Sequence, residues 1–137
     1  MVLHVGVHAL RSRRGQLRGS AGKVAECGDV STSYLLLFYA TECAIKERVL
    51  SRRGQRNTSG LEPTHDLRKL AKELCLPRSV SEHLARLDRC RMSAQGAGKI
   101  ALADLHQAWR YGAKLNEEDE KNAQASLHAL IAWCEQD

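Results

Sequence analysis

Aromatic side chains are scarce in this chain: Phe38, three tyrosines and two tryptophans make up 4% of its 137 residues. The core must instead be filled largely by leucine and alanine, which favour helices, whereas β-branched and aromatic residues favour sheets. Only two prolines, Pro63 and Pro77, interrupt the chain. Nowhere do apolar and polar residues alternate for long, so no strand is expected. The longest run without a polar residue, Tyr34 to Ala40, is far short of the roughly 20 residues a membrane helix needs. No membrane partner is expected.

Cysteine is present but unpatterned. Cys27, Cys43, Cys75, Cys90 and Cys134 form no C-x-x-C pair and are odd in number. The expected state is buried, reduced thiols in a cytoplasmic protein, with no metal and no cofactor. His4 and His8 stand four apart in a stretch without periodicity and carry no metal assignment. Acid is absent before Glu26, where the chain is rich in arginine. This N-terminal stretch lacks the apolar segment of a secretory signal. Residues 1–28 are expected to be a basic arm, partly disordered or carrying a short helix around Lys23 to Cys27.

Charge is unevenly spread. Residues 1–60 carry ten Lys/Arg against four Asp/Glu, whereas residues 61–137 carry eleven against twelve. A positive end of this kind suits contact with phosphates, although a basic surface can also be merely solvated.

What is abundant is helix signal. Residues 30–51 read as the longest helix, apolar nearly all round from Tyr34 to Ala40 and therefore expected between other helices. Asp29 or Ser31 can cap its start, and Gly54 can supply a left-handed stop. A polar loop follows over residues 54–64. Leu67, Leu70, Ala71 and Leu74 form one stripe on a helix over residues 65–75. Ser79 and Glu82 have capping-box spacing and open a short helix with Val80, Leu84 and Leu87 on its apolar face. Residues 93–98 read as a loop and 99–111 as a helix closed by Gly112. Asn116 then caps the last helix, whose first turn is acidic where the helix dipole favours it. The expected fold is an all-α bundle of about four main helices plus a short one over residues 29–137.

Three segments, in order, resemble the HEPN superfamily: Y-L-L-L-F-Y-A-T-E-C-A-I-K (34–46), T-H-D-L-R-K-L-A-K-E-L (64–74) and W-R-Y-G (109–112). HEPN domains are similar in having a long apolar helix with an acid and a lysine, a His-x-Leu start to the next helix, and often a later Arg-Tyr element. The resemblance spans about residues 30–135. It implies a helical bundle, commonly a homodimer or a subunit of a hetero-complex. Relatives include metal-independent ribonucleases and non-catalytic modules in toxin–antitoxin and phage-defence systems, often beside a nucleotidyltransferase-type protein. The leading expectation is a non-catalytic module that binds nucleic acid, RNA before DNA, or a protein partner. A structural adaptor without nucleic-acid contact is a further alternative.

The rival expectation is a ribonuclease. Catalytic relatives carry Arg, four to six residues, then His, and Arg78-Ser-Val-Ser-Glu-His83 has that spacing. Histidine titrates near neutrality and suits a proton at the 2′-hydroxyl; arginine forks onto phosphate oxygens. With fourteen arginines and six histidines, the spacing also arises by chance. Relatives usually carry it nearer the position of Arg110-Tyr111. Glu42 is the third catalytic candidate. An acid within so apolar a helix needs a partner, and Arg110 is the one expected. Arg48, Arg52, Arg53, Arg110 and Tyr111 are the candidates for nucleic-acid contact. His65 with Asp66 reads as a helix-start device.

Overall fold

A computed structural model of the chain describes residues 3–93 and 98–136. Six α-helices make up the described fold: α1 Val7–Glu26, α2 Val30–Arg53, α3 Leu67–Ala71, α4 Arg78–Leu87, α5 Leu105–Arg110 and α6 Glu117–Cys134. Short 3₁₀ turns lie at Thr58–Gly60, Lys72–Leu74 and Leu102–Asp104. Only isolated bridges pair extended backbone among the described residues, as between Gly6 and Asn57, and no strand forms there. No described helix is long and apolar enough to cross a membrane.

The centre is α2. Asp29 caps it by accepting from the Thr32 backbone N–H at 3.1 Å, and Gly54, at φ 69°, ends it. Helix α1 lies along α2 in the most extensive helix contact of the chain, while α6 and α5 cover other faces. Phe38, Ala40, Ala44, Ile45, Val49 and Leu50 are consequently sealed from solvent. Helix α4 packs on α6. Trp109 of α5 is buried and ties to α6, its Nε1 donating to Glu120 at 2.9 Å.

Several expectations change. The expected arm is a 20-residue helix, not a short one near Lys23. Its buried stripe is Leu10, Leu17 and Ala21, with Arg14 lying between them and only partly exposed. Arg11 Nε and Arg14 Nη1 donate to the two oxygens of Glu47 on α2, at 2.7 and 2.5 Å. The Val7 backbone N–H donates to the Arg56 carbonyl at 3.0 Å, which fixes α1 antiparallel to α2. Helix α4 starts at Arg78 after Pro77, with no side-chain cap, so the Ser79–Glu82 box is not used. Proline presets φ there, and its carbonyl accepts from the Val80 and Ser81 backbone N–H groups at 2.9 Å. The helix expected over residues 99–111 is regular only from Leu105 to Arg110, preceded by a 3₁₀ turn. The expected loop at residues 93–98 lies mostly outside the described residues. Cys90 and Cys134 are buried, but Cys27 and Cys75 are exposed.

Gly19 sits in the middle of α1 with open space where a Cβ would stand. Glycine there costs about 0.5–1 kcal/mol against alanine. Gly19→Ala should therefore raise the unfolding free energy by about that much, read as a higher urea midpoint; a solvated arm would show no change in urea titration.

Candidate functional site

Glu42 stands in the middle of α2, and its side chain is only 10% exposed. A carboxylate so shielded must be met by donors, because losing water costs several kcal/mol. Two groups meet it. His65 Nδ1 lies 2.7 Å from Oε1, and Lys46 Nζ, one turn along α2, lies 3.3 Å from Oε2. Arg110 is not the partner. Its guanidinium donates to the Tyr39 hydroxyl instead. Arg110 on α5 therefore reaches α2 one turn before Glu42, at a phenol and not a carboxylate.

His65 stands at the chain's turn into α3. Asp66 makes that turn by accepting from the backbone N–H groups of Arg68 and Lys69. The helix-start reading thus describes Asp66, while the imidazole is free to reach across to Glu42. An ionised carboxylate can only accept, so Nδ1 holds the proton and Nε2 is the basic nitrogen of the neutral ring. The ring is 47% exposed.

Behind it lies His106 of α5, 4% exposed, its ring centroid 4.4 Å from that of His65 and 5.7 Å from that of Phe38. Its Nδ1 is buried and meets no hydrogen-bond partner among the described residues. Burial, then the neighbouring His65 and Arg110, lower its pKa below the ordinary imidazole value. It is a neutral stacking surface. Sequence offered no signal for it beyond its place one turn before Arg110. Tyr111, next to Arg110, is 78% exposed. No carboxylate lies within ion-pair distance of Arg110 among the described residues. The site thus holds a paired imidazole and an arginine free of acid, and Tyr111 is an open aromatic ring beside that arginine in sequence.

The other candidates lie elsewhere. Arg78 is 95% exposed, its nearest acid Glu82 at 3.9 Å. His83 Nδ1 lies 3.3 Å from the Ser126 hydroxyl on α6, and burial followed by Arg86 lowers its pKa. Neither contacts Glu42, whose partners are His65 and Lys46. Arg48 donates to the Gln136 carbonyl at 2.6 Å and lies over the Trp133 ring. Arg52 donates to the Leu74 carbonyl at 2.7 Å, and Arg53 pairs with Glu73. These three tie helix ends together. Among the described residues, no group of three or more His, Cys, Asp or Glu is placed to hold a metal ion.

Comparison of the chain with protein-family models, with curated proteins and with solved structures finds no match.

A buried neutral His106 makes stability depend on pH. Its folded pKa lies below the ordinary 6.5, so below that value the unfolded chain binds more protons and stability falls with pH. His83 and His128 shift in the same direction, burial first among the causes. The melting temperature should fall from about pH 7.5 to about pH 5.5, and His106→Phe should flatten that fall. An unchanged slope in the variant would count against the buried neutral ring.

Proposed function

We propose that the chain is a HEPN-like module that binds single-stranded RNA across the face formed by Tyr39, His65, Arg110 and Tyr111. One observation carries this reading. The three segments that resemble HEPN domains are far apart in sequence, yet His65 pairs with Glu42, Arg110 donates to Tyr39, and the Tyr39 and His65 rings that join these two pairs lie 6.1 Å apart. Arg110 is positioned for a phosphate, since among the described residues it meets phenols and no carboxylate. Tyr111 is an exposed ring on which a base can stack, a contact worth about 1–3 kcal/mol. A cytoplasmic homodimer or hetero-complex, in a toxin–antitoxin or defence setting, belongs to the same proposal.

Fluorescence anisotropy with a labelled single-stranded RNA tests it. Affinity should fall steeply with salt, and Arg110→Gln should lower the log–log slope by roughly one. Tyr111→Ser should weaken binding at every salt concentration, while Arg53→Gln, whose side chain is committed to Glu73, should leave it unchanged. Absence of binding at low salt, or an Arg110→Gln/Tyr111→Ser double variant with full affinity, removes the reading.

A second reading, metal-independent RNA cleavage, is favoured by the His65–Glu42 pair, which has the base-and-orienter geometry of acid–base catalysis. His65 Nε2 would take the 2′-hydroxyl proton as that oxygen bonds to phosphorus. The bond from phosphorus to the 5′-oxygen breaks, and the leaving oxygen takes a proton from water. Here His65, not His83, is the base. His65→Ala should abolish cleavage and His83→Ala should not. Cleavage lost only in His83→Ala would return the chemistry to the Arg78–His83 motif.

A further inference from the structure

The chain turns sharply between α3 and α4. Cys75 takes the left-handed conformation, φ 49° and ψ 56°, which a residue with a Cβ seldom adopts. Leu76 follows, and Pro77 precedes the first residue of α4. This corner leaves a groove of about 470 Å³ between the two helices. Ala71, Leu76 and Leu84 line it with apolar surface, and Arg68, Lys69 and Lys72 line it with positive charge. None of Tyr39, Glu42, His65 or Arg110 lines it, so the groove is separate from the face described above.

The charges of the groove are available to a ligand. Asp66 is the one acid lining it, and its carboxylate is spent capping α3. Arg68 lies 3.5 Å from the partly buried Asp88, which also accepts from the Leu102 backbone N–H, and Lys69 lies 3.3 Å from Glu62 in a largely exposed pair. An exposed pair such as Lys69–Glu62 is worth about 0–1 kcal/mol, so an incoming carboxylate can displace it, and the half-exposed Arg68 guanidinium keeps donors open to a second acid. Lys72 makes no ion pair among the described residues. Arg68 and Lys72 stand one turn apart on the same side of their helical segment and form a cationic edge along the apolar floor.

We propose that this groove docks an acidic amphipathic helix of a partner protein. A leucine-like side chain would fill the space against Leu76 and Leu84, and flanking Asp or Glu would pair with Arg68, Lys69 and Lys72. Apolar anchors at helical spacing in a groove, with charge at the rim, are a general mode of peptide recognition. The apolar floor separates this occupant from RNA, whose phosphates gain nothing from leucine.

The probe is a labelled peptide of roughly 16 residues, helical, with leucines on one face and glutamates elsewhere. Its control has every leucine replaced by serine. Binding to the full chain is measured by anisotropy, with melting curves to show that each variant is folded. The leucine peptide should bind and the control should not. Ser81→Trp, at an exposed position lining the groove, should weaken binding at least about tenfold. Lys72→Glu should weaken it as well, and Arg110→Gln should leave it unchanged. Equal binding of the control, no binding of the leucine peptide, or competition by single-stranded RNA would overturn the proposal. So would a dimer of the chain alone that Ser81→Trp converts to monomer, since the occupant would then be a second copy.

Discussion

Glu42 lies on a helix that neighbours cover on nearly every side, and its carboxylate keeps little contact with water. The fold offers it two donors, Lys46 from its own helix and His65 from the turn into α3. Meeting that demand fixes how the chain leaves the long loop after α2, because His65 must come back to the middle of α2 before α3 can start. It also fixes the tautomer of His65, and it brings that ring against His106 of α5. Arg110, freed from a carboxylate, is left to a phenol. A face with an orienting acid, a basic nitrogen and an unneutralised guanidinium follows from one buried charge.

A second buried acid acts on the other side of α2. Glu47 takes Arg11 and Arg14 of α1. The two glutamates lie five residues apart, so they point to different flanks of the helix and recruit different elements. Helix α2 is therefore more than a hydrophobic core piece; its few acids determine which arginines and histidines are fixed and which stay open. Arg48, Arg52 and Arg53, the densest run of arginine near α2, close helix ends on carbonyls or on Glu73.

Much of the fold was legible in the sequence wherever a cap and a stripe coincide. The caps Asp29 and Asn116, the stop at Gly54 and the stripe Leu67, Leu70, Ala71 and Leu74 all have their expected roles. Helix α1 was not legible, because its stripe is interrupted by Arg14 and diluted by three glycines. Its stability comes from tertiary contact with α2, which no local pattern records. The site was half legible. Glu42 announced the need for a partner, but the nearest charged candidate by type, Arg110, was the wrong one. His65 was hidden because an imidazole beside a capping Asp66 reads as part of the turn, and only folding shows that the two side chains do separate things. The Arg78–His83 spacing was visible but local to one helix, and its His turns toward Ser126.

The whole face depends on Glu42 holding His65 by Nδ1. Nitrogen-15 NMR of the histidine rings measures it directly. The neutral His65 ring should carry its proton on Nδ1, with an unprotonated Nε2, and Glu42→Gln should shift this ring while leaving that of His83 unmoved. A His65 ring protonated on Nε2, or one whose tautomer is indifferent to Glu42→Gln, would contradict it.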